Sequence, residues 1–223
     1  MESKCFIIGA GDLTISELRI SEEDFVIAAD GGLSYCEFLG VRPNVILGDF
    51  DSVGEKEKNF IENLVMQGGE GDETSIPEIV RLPEEKDDTD MLAAIKYGLE
   101  KGYRDFRIYA GMGGRFDHSF ANIQCLLYLK NHVATGYLCD GTGMILVLQD
   151  ESVEFQESME GIVSVFALGR QAKGVTIRGM KYPLENAVIT NDFPIGISNE
   201  FIGQKAYISV KEGELLCVVQ WVG

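Results

Sequence analysis

Short apolar runs of strand length, each stopped by glycine and aspartate and then followed by a helix-like segment, constrain this chain more than any other feature. Phe25-Val26-Ile27-Ala28-Ala29 runs into Asp30-Gly31-Gly32, and Asn44-Val45-Ile46-Leu47 runs into Gly48-Asp49-Phe50-Asp51-Ser52. Phe106-Arg107-Ile108-Tyr109-Ala110 runs into Gly111-Met112-Gly113-Gly114-Arg115-Phe116-Asp117-His118. Runs that stay apolar instead of alternating suit buried strands. Open α/β sheets bind ligands at the carboxyl ends of their strands. The pattern predicts a parallel-sheet α/β sandwich domain whose chemistry sits on these three loops and on Lys86-Asp87-Asp88-Thr89-Asp90, which follows a further strand over residues 78–82.

The remaining elements fall around this frame. A strand over residues 4–8 ends in Gly9-Ala10-Gly11-Asp12. Thr14 stands where a dinucleotide fingerprint has its third glycine, so a tight turn beside a nucleotide pocket is the better reading than a nicotinamide or flavin site. Helices are expected over residues 33–39, 55–66, 91–99 and 119–131, and strands over 135–140 and 144–148. Residues 68–75 read as an exposed glycine- and acid-rich loop. From Glu151 the helical period disappears. Strand-like runs at 152–155, 162–167, 174–178, 187–190, 205–210 and 215–221 predict a C-terminal all-β sandwich domain, with the boundary near residue 150.

Charge and cysteine usage remove several function classes. The 223 residues carry 36 acidic against 19 basic side chains, a formal net charge of −17. Such a surface repels nucleic acid and anionic membrane. The five cysteines are odd in number and show no paired spacing, which argues against a disulfide framework or a zinc site. The N-terminal residues lack a long apolar stretch and no run is long enough to span a bilayer, so a cytoplasmic protein is expected.

The carboxylates carry the chemistry. Asp49 and Asp51 are two residues apart, so in extended chain both point to one side. Asp87 and Asp90 are three apart at the start of a helix that Thr89 or Asp88 could cap, and can share a face. Carboxylates that converge repel one another unless a cation joins them. Mg²⁺ takes one or two carboxylates together with substrate phosphates. The expectation is a metal site that holds a phosphorylated substrate. Gly113 and Gly114 precede a helix and offer N–H groups to an anion, and Arg115 adds donors suited to phosphate, although a local Arg115–Asp117 ion pair competes. His118 is either a base or a packing residue at the helix start. Asp30-Gly31-Gly32 is either a ligand loop or an ordinary turn with a capping aspartate.

These motifs, in this order and followed by Gly179-Met180-Lys181-Tyr182-Pro183-Leu184 and Gly196-Ile197-Ser198-Asn199-Glu200, resemble bacterial thiamine pyrophosphokinases over nearly the whole chain. The resemblance implies an α/β catalytic domain (residues 1–150) and a β-sandwich that helps bind thiamine (residues 151–223), assembled as a homodimer with active sites at the subunit interface. It implies transfer of the diphosphoryl group of ATP to thiamine, with Mg²⁺, leaving AMP. By position it makes Asp49, Asp51 and Asp90 metal ligands, with Asp87 close to them. It places Asp30, Gly31, Gly32, Gly113, Gly114 and Arg115 in nucleotide and phosphate loops. Asp117 falls near the aminopyrimidine, Tyr182 at an aromatic position against the thiamine rings, and Ser198 and Asn199 in the adjoining loop. Residues 67–76 depart from the pattern as an insertion.

The chemistry this implies is mostly positional and electrostatic: a hydroxyl attacks the β-phosphorus and AMP leaves. Asp51, Asp87, Asp90 and Arg115 would carry it. Either Asp87 or Asp117 could accept the hydroxyl proton. Tyr182 against the thiamine cation would add a cation–π term of about 0.5–2 kcal/mol. Two other readings stand beside this one. A metal-dependent phosphoesterase or nucleotidyltransferase would ignore thiamine, and a nucleotide sensor would bind ATP without turnover.

Overall fold

The computed structural model describes residues 3–48, 77–83 and 87–221. The chain divides into two compact units, Met1–Cys125 with Val133–Asp140, and Leu126–His132 with Gly141–Gly223. Asp49 and Asp51, the helix expected over 55–66 and the loop over 68–75 lie outside the described residues.

The first unit carries β1 (Cys5–Ile8), β2 (Phe25–Ala29), β3 (Val45–Gly48), β4 (Glu78–Arg81), β5 (Asp105–Tyr109) and β6 (Thr135–Cys139). They pair in parallel in the order β6-β5-β1-β2-β3-β4. Every residue of β1 and β3 is buried, which is why their sequences are apolar without alternation. β4 ends this row of strands and is mostly exposed, so it can carry Glu78 and Arg81. The helices are α1 (Gly32–Leu39), α2 (Asp90–Glu100) and α3 (Phe116–Asn131), each opening after a strand. Leu33 and Cys36 of α1 pack on Phe6, Ile8, Val26, Ala28 and Ile46 of the sheet.

The strand order sets the place of the site. From β1 the chain builds outward through β2, β3 and β4, then returns to the other side of β1 for β5 and β6. The β1–β2 and β5–β6 connections thus run to opposite sides of β1 in the strand order, the switch point at which open α/β sheets form a binding crevice. No helix follows Gly9-Ala10-Gly11, in keeping with a tight turn rather than a dinucleotide fingerprint.

The second unit contains β7 (Gly143–Gln149), β8 (Ser152–Phe155), β9 (Gly161–Ala167), β10 (Gln171–Arg178), β11 (Leu184–Thr190), β12 (Asn199–Glu200), β13 (Ala206–Ser209) and β14 (Glu214–Trp221). Two antiparallel layers, β12-β9-β14-β7 and β11-β10-β13-β8, form the sandwich. Alternate residues of β9, Val163, Val165 and Ala167, are buried while their neighbours are more open, the signature of one covered face. Cys217 and Val219 of β14 and Ala172, Ile177, Ile189 and Ile208 of the other layer are buried with them.

Three elements differ from expectation for local reasons. α3 starts at Phe116, three residues before Ser119. The Ser119 hydroxyl lies inside the helix and bonds back to the turn, accepting from the Gly113 N–H at 3.1 Å. β10 starts at Gln171 because Gly174, which looks like a strand start, sits in a bulge with φ +65°. The two-residue β12 is too short to show any alternation. Among the described residues no helix is long and apolar enough to cross a membrane.

Candidate active site

A cavity of about 510 Å³ opens at the switch point of the first unit. Its wall is made by the turn after β1 (Gly9, Ala10, Gly11, Asp12), the end of β2 (Ala29, Asp30), the start of α2 (Asp88, Thr89, Asp90, Met91), and the turn after β5 with the first part of α3. The turns after β1 and β5 are tied together. Gly9 N–H donates to the Tyr109 carbonyl at 2.9 Å, Gly11 N–H to Ala110 at 2.7 Å and Asp12 N–H to Met112 at 2.7 Å. Asp30 and Ala110 both adopt left-handed backbone, with φ of 51° and 48°. Non-glycine residues at such angles store roughly 1–3 kcal/mol each. Here they turn two strand ends beside the cavity.

Asp90 sits in the first turn of α2, capped by the Thr89 hydroxyl, which accepts from Leu92 N–H at 3.2 Å. That settles the cap in favour of Thr89. Asp88 lines the cavity too, but both its oxygens are held by the Lys96 ammonium at 2.7 and 2.6 Å. Asp87 precedes the helix, is exposed, and is not part of the wall. Asp12, Asp30 and Asp90 give the cavity carboxylate oxygens. Among the described residues no three metal-ligating side chains converge. One or two carboxylates completed by substrate phosphates are a usual set for a small hard cation, so the donor chemistry fits a divalent ion of that kind.

Gly113, Gly114 and Arg115 line the same cavity. Gly113 has φ +91°, and a Cβ there would lie 2.0 Å from the Asp12 carboxylate, so only glycine lets the two turns meet. Arg115 donates to both Asp117 oxygens, from Nε at 3.1 Å and from a terminal nitrogen at 2.5 Å. The Asp117 hydrogen bonds hold the Arg115 guanidinium above its ordinary value. In turn the Arg115 hydrogen bonds hold the Asp117 carboxyl below the usual carboxylate range. The local ion pair weighed from sequence is therefore present, and Arg115 meets the cavity while Asp117 is not part of its wall. His118 lines the cavity and is exposed, so it is not a packing residue. Gly31 and Gly32 lie outside the wall; Gly31 is the N-cap of α1 and Gly32 is buried against the Ile8 carbonyl.

In the second unit Tyr182, Ser198 and Asn199 come together. Asn199 is 6% exposed, and its amide clamps Tyr182: Oδ1 accepts from Tyr182 N–H at 2.9 Å and Nδ2 donates to Tyr182 carbonyl at 2.8 Å. Oδ1 also accepts from the Glu200 N–H at 2.9 Å. Asn199 thus positions the Tyr182 turn. Tyr182 is 57% exposed, with the Lys181 ammonium 5.5 Å from its ring centroid. Ser198 has φ +58°, and its N–H donates to Ser164 Oγ at 3.0 Å.

Two wall residues carry weight that sequence reasoning missed. Asp12 was read only as part of a turn. Asn122, on α3, is 9% exposed and donates from Nδ2 to the Gly111 carbonyl at 2.6 Å. An asparagine among the apolar residues of that helix is the signal that could have found it. No thiol competes for the chemistry. All five cysteines are free, and burial pushes the Cys36 thiol up to about 12 and those of Cys125 and Cys139 up to about 11, which leaves them protonated and inert.

Comparison with known proteins covers both units. Residues 17–137 match the family model described as thiamin pyrophosphokinase, catalytic domain, and residues 150–215 match thiamin pyrophosphokinase, vitamin B1 binding domain. The chain is 30% identical over 200 residues to a thiamine pyrophosphokinase of Bacillus subtilis, covering 88% of this chain and 87% of the relative. The crystal structure of thiamine pyrophosphokinase from Bacillus subtilis superposes with a TM-score of 0.86 at 25% identity, over 99% of this chain and all (100%) of that one. A thiamin pyrophosphokinase structure from Candida albicans, at 16% identity, shares the fold with a TM-score of 0.76, over 99% of this chain and 90% of that one.

Proposed function

The chain belongs to the thiamine pyrophosphokinase family, and from that premise we propose how its residues move a diphosphoryl group from ATP to the hydroxyl of thiamine, giving thiamine diphosphate and AMP. Membership makes it an ATP-dependent diphosphotransferase with a metal-dependent reaction. The observation that carries the residue assignment is the cavity at the switch point, which brings carboxylates, the Gly113-Gly114 turn and Arg115 to one space.

ATP occupies this cavity, in the catalytic domain of residues 1–150. Its phosphates meet Gly113, Gly114 and Arg115, while Asp30 holds the nucleotide from the β2 side, and Gly31 and Gly32, outside the wall, shape the turn behind it. Asp90, with Asp49 and Asp51 of the segment outside the described residues, would hold Mg²⁺. Bound there, the cation would neutralise the phosphates and stabilise charge that develops in transfer. Arg115 exchanges one exposed partner for another when phosphate replaces Asp117. The hydroxyl of thiamine attacks the β-phosphorus, and AMP leaves. The two candidate bases, Asp87 and Asp117, differ in that Arg115 holds Asp117 until phosphate takes its place. Asp87 is free of that partner.

Thiamine is assigned to residues 151–223, with its cationic ring against Tyr182 and Ser198 beside it. The exposure of Tyr182 supports this. Exposed Phe193, Ile195 and Ile197 in the same unit support a covered surface there, as in a homodimer with active sites at the interface. Five free thiols suit a reducing compartment such as the cytoplasm.

The test is AMP release from ATP, with and without thiamine, in wild type and Asp90→Ala. Thiamine-dependent AMP is expected. It should fall roughly a hundredfold or more in the variant and disappear with a chelator, returning with Mg²⁺. ADP or phosphate release indifferent to thiamine would overturn the reaction assignment. Full activity in Asp90→Ala would overturn the site.

A further inference from the structure

Asn122 is buried on the cavity wall, and its amide orientation is fixed by chemistry. Only the nitrogen end can donate to the Gly111 carbonyl, 2.6 Å away. The oxygen end is then left over. It accepts no hydrogen bond from the described residues, yet it is not among the sealed, unsatisfied polar atoms. Asn122 lines the cavity, so its Oδ1 opens to that space. Solvent meets this oxygen while the cavity is open, and a ligand that displaces the solvent must supply a donor in its place, since leaving the oxygen unmet carries a desolvation penalty.

We propose that Asn122 recognises the nucleoside end of the bound triphosphate by accepting a hydrogen bond from it. This rests on the reading of the cavity as the nucleotide site. Phosphate oxygens are acceptors, and a carbonyl oxygen repels them. The wall at Asn122 therefore does not receive the polyphosphate, whereas Gly113, Gly114 and Arg115 present donors that do. The donors a triphosphate can offer are on the nucleoside: the ribose hydroxyls and the exocyclic amine of adenine. Asn122 thus fixes which way round the nucleotide lies. It also supports the phosphate loop directly, because the carbonyl it holds belongs to Gly111, two residues before Gly113.

The test compares ATP with 2′-deoxyATP, 3′-deoxyATP and ITP as diphosphoryl donors to thiamine, reading kcat/KM from nucleoside monophosphate release. In the wild type one analogue should fall by roughly ten- to a hundredfold. The analogue that falls tells hydroxyl from amine. In Asn122→Leu, the same size without the oxygen, ATP and that analogue should come within about twofold of one another, since the group that discriminated is gone. Asn122→Ala serves the same purpose if the leucine variant does not fold. Equal use of all four nucleotides by the wild type overturns the proposal, as does discrimination that survives in the variants. Thiamine-dependent AMP formation from ATP by the wild type separates a failure of this proposal from a failure of the nucleotide-site reading.

Discussion

Removing the Asn199 side chain should loosen the turn that presents Tyr182. Asn199→Ala deletes the bonds to the Tyr182 N–H, the Tyr182 carbonyl and the Glu200 N–H, at 2.9, 2.8 and 2.9 Å. A hydrogen bond of this type contributes about 1 kcal/mol net. The residue itself is 6% exposed, but Tyr182 is open, so water can satisfy part of what is lost. The expected destabilisation is about 2–3 kcal/mol. For a chain of this length that lowers the melting temperature by about 4–12 °C. Asn199→Asp keeps an acceptor for both N–H groups and loses only the donor, so it should fall between wild type and alanine. Thermal unfolding gives the stabilities, and initial rates give KM for each substrate. KM for thiamine should rise in Asn199→Ala, while KM for ATP, whose proposed cavity is in the first unit, should not. A loss below about 0.5 kcal/mol with an unchanged thiamine KM would refute the reasoning, and so would a rise confined to ATP.

Other outcomes follow from the same geometry. Gly113→Ala forces a side chain into φ +91° and against the Asp12 carboxylate, so it should destabilise the first unit by roughly 1–3 kcal/mol and raise KM for ATP, read by urea unfolding and kinetics. Asp24 ties the start of β1 to the turn before β2, accepting from Lys4 N–H and Ser21 N–H, each at 2.9 Å. Burial raises its pKa, but the two N–H groups and the Lys4 charge lower it further, so the folded value lies below the ordinary 3.8. A depressed carboxylate stabilises the fold above its unfolded pKa, and that contribution disappears as pH falls through the folded value. Melting temperature against pH should therefore drop more steeply below pH 3.8 in wild type than in Asp24→Asn. Parallel curves would refute the assignment. Chelation should abolish thiamine-dependent AMP release and leave the melting temperature close to that of the untreated protein, and Mg²⁺ add-back should restore the release.

Much of the fold is legible in the sequence because burial on both faces writes continuous apolar runs. Phe25–Ala29 is bounded as expected, and β3 is shifted by one residue at each end. Legibility fails where backbone leaves its regular region. Gly174 and Asn186 have positive φ, and both lie in the irregular β10–β11 pairing, so each strand begins three residues earlier than its pattern suggests. The site divides in the same way. Asp90 and the Gly113-Gly114-Arg115 turn follow strands and can be found from that position alone. Asn122 and Asp12 matter because β1 and β5 are adjacent, a fact about strand order that no local pattern contains. Arg115 reads in sequence as either a phosphate ligand or an ion-pair partner of Asp117, and the geometry shows the ion pair formed.

The segment that carries Ser198 and Asn199 does a second job. Running antiparallel to β9, it gives Val165 N–H the Gly196 carbonyl at 2.8 Å, pairs Asn199 with Val163 and Glu200 with Ile162, and returns Phe201 N–H to Gly161 at 3.1 Å. It is the border of its layer, and it closes a row of backbone groups that another chain's strand could otherwise join. Reshaping this loop to admit a bulkier acceptor would therefore uncover a sticky margin. Under the proposed placement of thiamine, variants selected for altered acceptor preference here should aggregate before they lose catalytic competence, which would confine the drift of specificity to side chains that leave the main chain of residues 196–201 in place.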